Sequence, residues 1–382
     1  MPLNASPKIL VVKVNAIGDV LTVTPALSFI KKVCPNSRLD FLVGEWSEPA
    51  IRNNPAVSNV IKIDEKWLVK RNVETFWKIV KLFFLLKSKK YDAVLGFHRS
   101  KLLQIFFRCL NTDLSMFFSY EKNDDRHVAF DEKKHFLQNN ISLVYALCKK
   151  MDYSDEILNK IKLETETQMH WYLQAEEQEE ANRILDSKGI KETHKIICII
   201  PGGGNNPMRD EQSYRQWGSN KFKYLIDNLS KLENTHILIL GSKNEEELGI
   251  SLIDGNDLFV SNLAGSISLR IAAAIMNKAD LIITNDTGPM HMAGALGIPL
   301  LALFGPTGAK EKLPPTNHSI GIQSSLHCSP CYYAVFRGCI YYYPKCMSTI
   351  REDKVCEIAK EILNNPQTNI QYGFNHFKIV YS

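Results

Sequence analysis

At 382 residues, with 45% hydrophobic and 23% charged side chains, the chain has the composition of a soluble globular protein and is too long for one ordinary core. Two domains are therefore expected, and the net charge of +5 is too mild to make the whole molecule a polyanion binder. No stretch reaches the roughly eighteen uncharged apolar residues of a membrane span, and Met1–Pro7 is short and polar, so a cytoplasmic address without a signal peptide is expected.

The first half reads as a strand and helix alternation. Apolar runs at Ile9–Val14, Leu39–Val43, Val60–Ile63 and Ala93–Gly96 predict buried parallel strands, the pattern of a doubly wound domain. After the first strand, Gly18 permits a tight turn and Asp19 stands at the carboxyl edge of the sheet, where open α/β sheets bind ligands. A carboxylate there suits a general base, and it equally suits a helix N-cap. Pro25 admits two readings, a helix capped by Thr24 or one begun near Gly18 and kinked.

Between Lys62 and Lys101 eleven Lys and Arg face four Asp and Glu, with Trp67, Phe76, Trp77, Phe83 and Phe84 interleaved. No nucleic-acid motif accompanies this patch, so no nucleic-acid partner is expected. An anionic lipid surface or a phosphorylated acceptor fits it, as does a packed amphipathic helix with a solvated basic face. Phe136–Met151 reads as a further helix, and the polar stretch Glu164–Ala181 holds the domain change, giving a first domain of residues 1–180.

The second series runs through strands at Ile196–Ile200, His236–Leu240, Leu281–Thr284 and Leu300–Phe304, within residues 181–354. Gly202, Gly203 and Gly204 follow its first strand, where backbone N–H groups can approach a diphosphate. The loop is neither a Walker loop nor a dinucleotide fingerprint. Asn285-Asp286-Thr287-Gly288-Pro289 breaks the third strand, and Pro289 suits the first turn of a helix whose free N–H groups favour an anion. Asp286 can accept hydrogen bonds there from hydroxyls or an amine, or simply cap the helix. Residues 355–382 supply a closing helix, Val355–Leu363, and a tail of little periodicity.

Nine cysteines without a secretory context argue against a disulfide framework. Cys328, Cys331, Cys339 and Cys346 have the spacing C-x2-C-x7-C-x6-C, compact enough for a tetrahedral thiolate site holding zinc or iron, or else a loop of reduced thiols. No Asp-x-Asp, a pattern that often holds a divalent cation at a diphosphate, occurs in the chain.

Two separated motifs carry a resemblance. Lys8–Val14 followed by Asn15-Ala16-Ile17-Gly18-Asp19-Val20-Leu21 and Thr24-Pro25-Ala26-Leu27, with Asp286, Thr287, Gly288, His291 and Phe304-Gly305-Pro306-Thr307, resembles the bacterial heptosyltransferase family, glycosyltransferase family 9. The resemblance implies a GT-B fold, two facing Rossmann-like domains with a cleft between them, the first for the acceptor and the second for a nucleotide sugar. It implies ADP-heptose as donor, with a lipopolysaccharide core or related glycan at the inner membrane surface as acceptor. Transfer would invert the anomeric centre, with Asp19 as base and no cofactor. Arg215, in Arg215-Gln216-Trp217, would meet the donor diphosphate and Glu245, or else Glu246 or Glu247, the ribose hydroxyls; Gly202, Gly203, Gly204, Asp286, Thr287, Gly288 and His291 complete the donor set. In an autotransporter-modifying branch, cysteine clusters like this one hold iron. Related readings are a protein heptosyltransferase of that branch, a nucleotide-sugar 2-epimerase and a non-catalytic membrane-associated scaffold.

Overall fold

A computed structural model describes residues 6–68, 72–119, 124–165, 167–203, 212–253, 258–331, 339–365, 369–371 and 373–382. The chain divides into two compact units, Met1–Tyr172 and Leu173–Ser382.

The first unit carries a six-stranded parallel sheet: β1 (Lys8–Val12), β2 (Arg38–Gly44), β3 (Asn59–Ile63), β4 (Ala93–Gly96), β5 (Leu114–Ser119) and β6 (His127–Ala129), in the order β3-β2-β1-β4-β5-β6. This is the order of a doubly wound dinucleotide-type fold, whose winding reverses between β1 and β4. Its helices are α1 (Ile17–Leu21), α2 (Thr24–Val33), α3 (Val73–Ser88), α4 (Lys101–Arg108), α5 (Phe136–Lys150) and α6 (Asp155–Thr165). Pro25 lies in the first turn of α2, and Asn140 of α5 donates to the Thr22 carbonyl at 2.8 Å between α1 and α2. There are thus two helices rather than one kinked helix, because a ring without an N–H is tolerated at a helix start.

The second unit repeats the winding. Its strands are β7 (Lys195–Ile200), β8 (Thr235–Ile239), β9 (Val260–Asn262), β10 (Leu281–Asn285), β11 (Leu300–Phe304), β12 (Ser319–Gln323) and β13 (Lys378–Tyr381), ordered β13-β12-β11-β10-β7-β8-β9 and all parallel. Here the reversal lies between β7 and β10. The expected featureless tail carries β13, paired in register from Ile320–Lys378 to Gln323–Tyr381.

Around this sheet lie α7 (Ala175–Ser187), α8 (Ser219–Leu229), α9 (Glu246–Ser251), α10 (Leu269–Met276), α11 (Gly288–Leu296) and α12 (Ala309–Lys312), then helices at Lys345–Thr349 and Glu352–Asn364. The near-continuous apolar strands β7, β10 and β11 are buried because helices cover both faces. Buried Arg270 on α10 donates to Glu177 on α7 at 2.7 Å, an ion pair that fixes α7 to the second unit. The closing helix contributes Val355, Ile358, Ala359 and Leu363 to the second core, and the Trp217 indole N–H donates to Ile350 at 3.0 Å ahead of it.

Candidate functional site

Both units gather their chemistry at the carboxyl ends of the strands flanking the reversal. In the first, the chain leaves β1 and runs through Lys13 and Val14 into α1. The Val14 N–H donates to His98 Nε2 at 2.8 Å, tying the end of β1 to the residue pair after β4. Desolvation first, then the Lys13 charge, pushes the His98 pKa down to about 3, with Asp19 opposing. His98 is therefore a neutral acceptor at neutral pH.

Asp19 sits in the first turn of α1, whose N-cap is Ala16, so it is not the capping residue. Its Oδ2 lies 2.9 Å from Lys13 Nζ, and its side chain keeps 43% of its exposure while Lys13 keeps 13%. An ion pair of this kind orients the carboxylate while leaving it within reach of solvent or an acceptor. Gly18 is buried as the second residue of α1; it belongs to the helix rather than to the tight turn expected of it.

In the second unit, buried Asn285 at the end of β10 donates its side-chain amide to the carbonyls of Pro201 and Gly202, at 2.9 Å each. The glycine loop after β7 is thereby stapled to the turn after β10. Gly202 and Gly203 are buried, and Gly204 lies outside the described residues. A Cβ on Gly202 would come within 1.5 Å of Glu245 Oε1, so glycine lets the loop pass under that carboxylate as it now stands. The other Glu245 oxygen accepts from the Ser242 N–H at 2.7 Å and the Ser242 hydroxyl at 2.8 Å, a capping box that fixes the side chain after β8.

Asp286 follows Asn285 and is buried, with Lys312 Nζ 3.1 Å from its Oδ2. Arg215 Nη1 donates to the Asp286 carbonyl at 3.0 Å and stands 3.9 Å from the carboxylate. Burial by itself would raise the Asp286 pKa, but Lys312 and Arg215, joined by His291, outweigh it and hold the carboxyl well below the ordinary range. Arg215 reaches this point because Trp217, two residues on, is locked into the core by Phe222 and Ile350.

Thr287, not Asp286, is the N-cap of α11, and its hydroxyl lies 3.1 Å from that of Thr284. Gly288 opens the helix and His291 is buried one turn in. Gly202, Gly203, Glu245, Asp286, Thr287, Gly288 and His291 thus follow neighbouring strand ends of one sheet, and Arg215, on a short turn of helix at Gln212–Arg215, reaches in to Asp286. Two cations beside the start of α11 suit a diphosphate.

Lys13, His98, Asn285 and Lys312 were not singled out as site residues by the sequence. A signal for three of them was present, since Lys13, His98 and Asn285 fall within two residues of the carboxyl end of an apolar strand. Lys312, on a four-residue helix beyond β11, gives no such signal.

The cysteines do not behave as a metal site. Cys328, Cys331, Cys339 and Cys346 are free thiols; burial first, then the neighbouring cysteines, raises the Cys328 pKa and pushes Cys346 up to about 11. Among the described residues, no group of three or more His, Cys, Asp or Glu side chains is arranged to hold a metal ion. Cys346 Sγ and Met347 Sδ fill the space that a side chain at Gly305 would need, at 2.9 and 2.4 Å from its Cβ position. The segment instead serves as a support, with the Ser329 hydroxyl donating to the Gly305 carbonyl at 2.6 Å under the Phe304–Thr307 turn. The structure does not support the zinc or iron expected of these thiols.

A pair of doubly wound parallel sheets, one with a basic strand-end site, places the protein in the α/β class with two Rossmann-like domains. The family model for glycosyltransferase family 9 (heptosyltransferase) matches residues 79–337, more than half the chain, and the chain belongs to that family. It is a glycosyltransferase. It is 24% identical over 355 residues to lipooligosaccharide heptosyltransferase 2 of Campylobacter jejuni, covering 91% of this chain and 96% of that one. Among solved structures, a family 9 glycosyl transferase from Veillonella parvula superposes with a TM-score of 0.73 at 19% identity, covering 95% and 99% of the two chains. The ADP-heptose lps heptosyltransferase II of E. coli gives 0.71 at 18% identity, covering 94% and 98%. Likeness at that identity shows the fold, GT-B with two Rossmann-like domains. The matched span includes the second-unit site and does not reach Asp19.

Proposed function

We propose that the chain is an inverting heptosyltransferase that uses ADP-heptose as donor and a lipopolysaccharide core or related glycan as acceptor. The carrying observation is the cation pair, Lys312 and Arg215, held against buried Asp286 beside the N-terminus of α11. In this reading those cations and the helix amides take the charge of the departing diphosphate, and Glu245, over Gly202, meets the ribose. Asp19 accepts the proton of the acceptor hydroxyl as its oxygen bonds to the anomeric carbon. The bond from that carbon to the diphosphate oxygen breaks, ADP leaves with the electron pair, and the configuration inverts. No catalytic cofactor is invoked. The acceptor would be lipid-borne and met at the inner face of the cytoplasmic membrane.

Family membership favours transfer to an acceptor over the epimerase and scaffold alternatives. Thermal melting with ADP, UDP, GDP and CDP, followed by transfer assays with ADP-heptose, tests the proposal. ADP should raise the melting temperature most. A larger shift with UDP, or turnover of a UDP-sugar without acceptor, would overturn the donor assignment.

A further inference from the structure

α3 and α4 cover the same face of the first sheet: Leu86 of α3 and Phe107 of α4 share a core with Leu10, Val12 and Val94. Partly buried Phe83 and Phe106 meet edge to face with ring centroids 5.7 Å apart, so the two helices are neighbours. An ordinary amphipathic helix would be polar on its opposite side. These are not. On α3, Val73, Trp77 and Phe84 recur at helical spacing directly opposite Leu86, at 74%, 57% and 63% exposure. Phe76 and Leu85 widen the stripe, and Leu102 and Ile105 on α4 extend it, at 75% and 57% exposure.

An apolar face of this kind marks an interaction site. Its surroundings identify the partner. Exposed Lys78, Lys81, Lys87 and Lys90 border the α3 stripe and Lys101 opens α4, while Glu74, the one carboxylate on α3, already pairs with Lys78. Long ammonium side chains at the rim of an apolar stripe can reach phosphate headgroups while the stripe enters the acyl boundary. Phe76, Trp77 and Phe84 could stack bases, but the aliphatic Val73, Leu85, Leu102 and Ile105 make up the rest of the stripe and favour an acyl boundary over a nucleic acid.

We infer that the outward face of α3 and α4 is an interfacial membrane-binding surface selective for anionic lipid. This deepens, and rests on, the reading of a lipid-borne acceptor.

Flotation of the full chain with vesicles tests it, using pure phosphatidylcholine against vesicles with roughly one-third phosphatidylglycerol. Wild type should float with the anionic vesicles, about tenfold more than with neutral ones, and lose that preference at high salt. Trp77→Ser/Phe84→Ser should lower binding to anionic vesicles by about tenfold, and Lys81→Glu/Lys87→Glu should abolish the preference for them. All three proteins should keep the same melting shift with ADP, which separates failure of the surface from failure of the donor reading. Wild type that stays unbound, or variants that float like wild type, would overturn the inference. So would a wild-type dimer, seen by light scattering, that the Trp77→Ser/Phe84→Ser change converts to monomer without any vesicle binding.

Discussion

Lys13 Nζ stands 2.9 Å from Asp19 Oδ2, so the carboxylate proposed as the base is already held by a cation from its own strand end. Asp19→Asn should keep ADP binding and lower turnover by roughly two orders of magnitude, the scale for losing a general base. Lys13→Met should lower turnover less, by roughly tenfold, since it releases the carboxylate without removing it. Single-turnover kinetics with calorimetric ADP titration checks both, and near-normal turnover of Asp19→Asn would remove Asp19 from the reaction.

Lys312→Met removes the nearest cation from a buried carboxylate, leaving it Arg215, Thr307 and His291. Folding should be weakened by roughly 3 kcal/mol, the scale for breaking a buried pair, and ADP affinity should fall as well. The acid side of the stability profile adds a second readout. Because the Asp286 carboxyl is held below its unfolded value, its stabilisation is present above the ordinary carboxylate range and is lost as pH falls below about 4. Melting curves between about pH 3 and 6 should therefore slope less steeply for Lys312→Met than for wild type. Equal slopes would show that Lys312 does not hold the charge.

Gly202→Ala places a methyl where Glu245 Oε1 lies, so either the loop after β7 or the Glu245 carboxylate must shift, and ADP binding should fall. Glu245→Ala makes room for that methyl. The double variant should therefore bind ADP about as well as Glu245→Ala alone, a non-additivity that marks direct contact. Additive losses, read by calorimetry, would separate the two residues.

His98 contributes its acceptor as a neutral ring. With a folded pKa near 3 against an unfolded value near 6.5, it stabilises the fold above that unfolded value and ceases to do so as pH falls towards 3. Imidazole resonances followed by NMR should show no titration of His98 between about pH 5 and 8. An apparent pKa of about 6 would break the assignment of Nε2 as acceptor for Val14.

Elemental analysis and thiol counting address the cysteines. Protein purified without added metal should carry far less than one equivalent of zinc or iron, and Cys328, Cys331 and Cys339 should alkylate readily, with buried Cys346 slower. One equivalent released by a chelator, with thiols protected until then, would restore the metal site.

How much of this was legible in the sequence depended on what each residue needs in order to signal. The run Leu300–Phe304 marks β11 to the residue, since a strand buried on both faces is written as uninterrupted apolar side chains. β6 and β9 are three residues each, and β13 is four residues in a polar tail, too short to carry a period. Asp19 and Asp286 were readable because a carboxylate at a strand end is anomalous. Lys13 and Lys312 look like any surface lysine until the fold supplies their partners. The cysteine spacing was read for the metal it permits, whereas the fold uses Cys346 as packing beneath Gly305.

The two sheets share one winding through their first six strands, with the candidate site turns gathered around the reversal point in each. That makes the chain modular for exchange experiments. In a chimera, turns following β7, β8 and β10 taken from a family member of different sugar preference would replace Gly202, Glu245 and Asp286 together with their neighbours. Strand pairing in the second sheet would be left alone, and every residue of the first would remain native. A change of accepted sugar in such a chimera, with vesicle binding retained, would assign donor choice to three loops rather than to the fold.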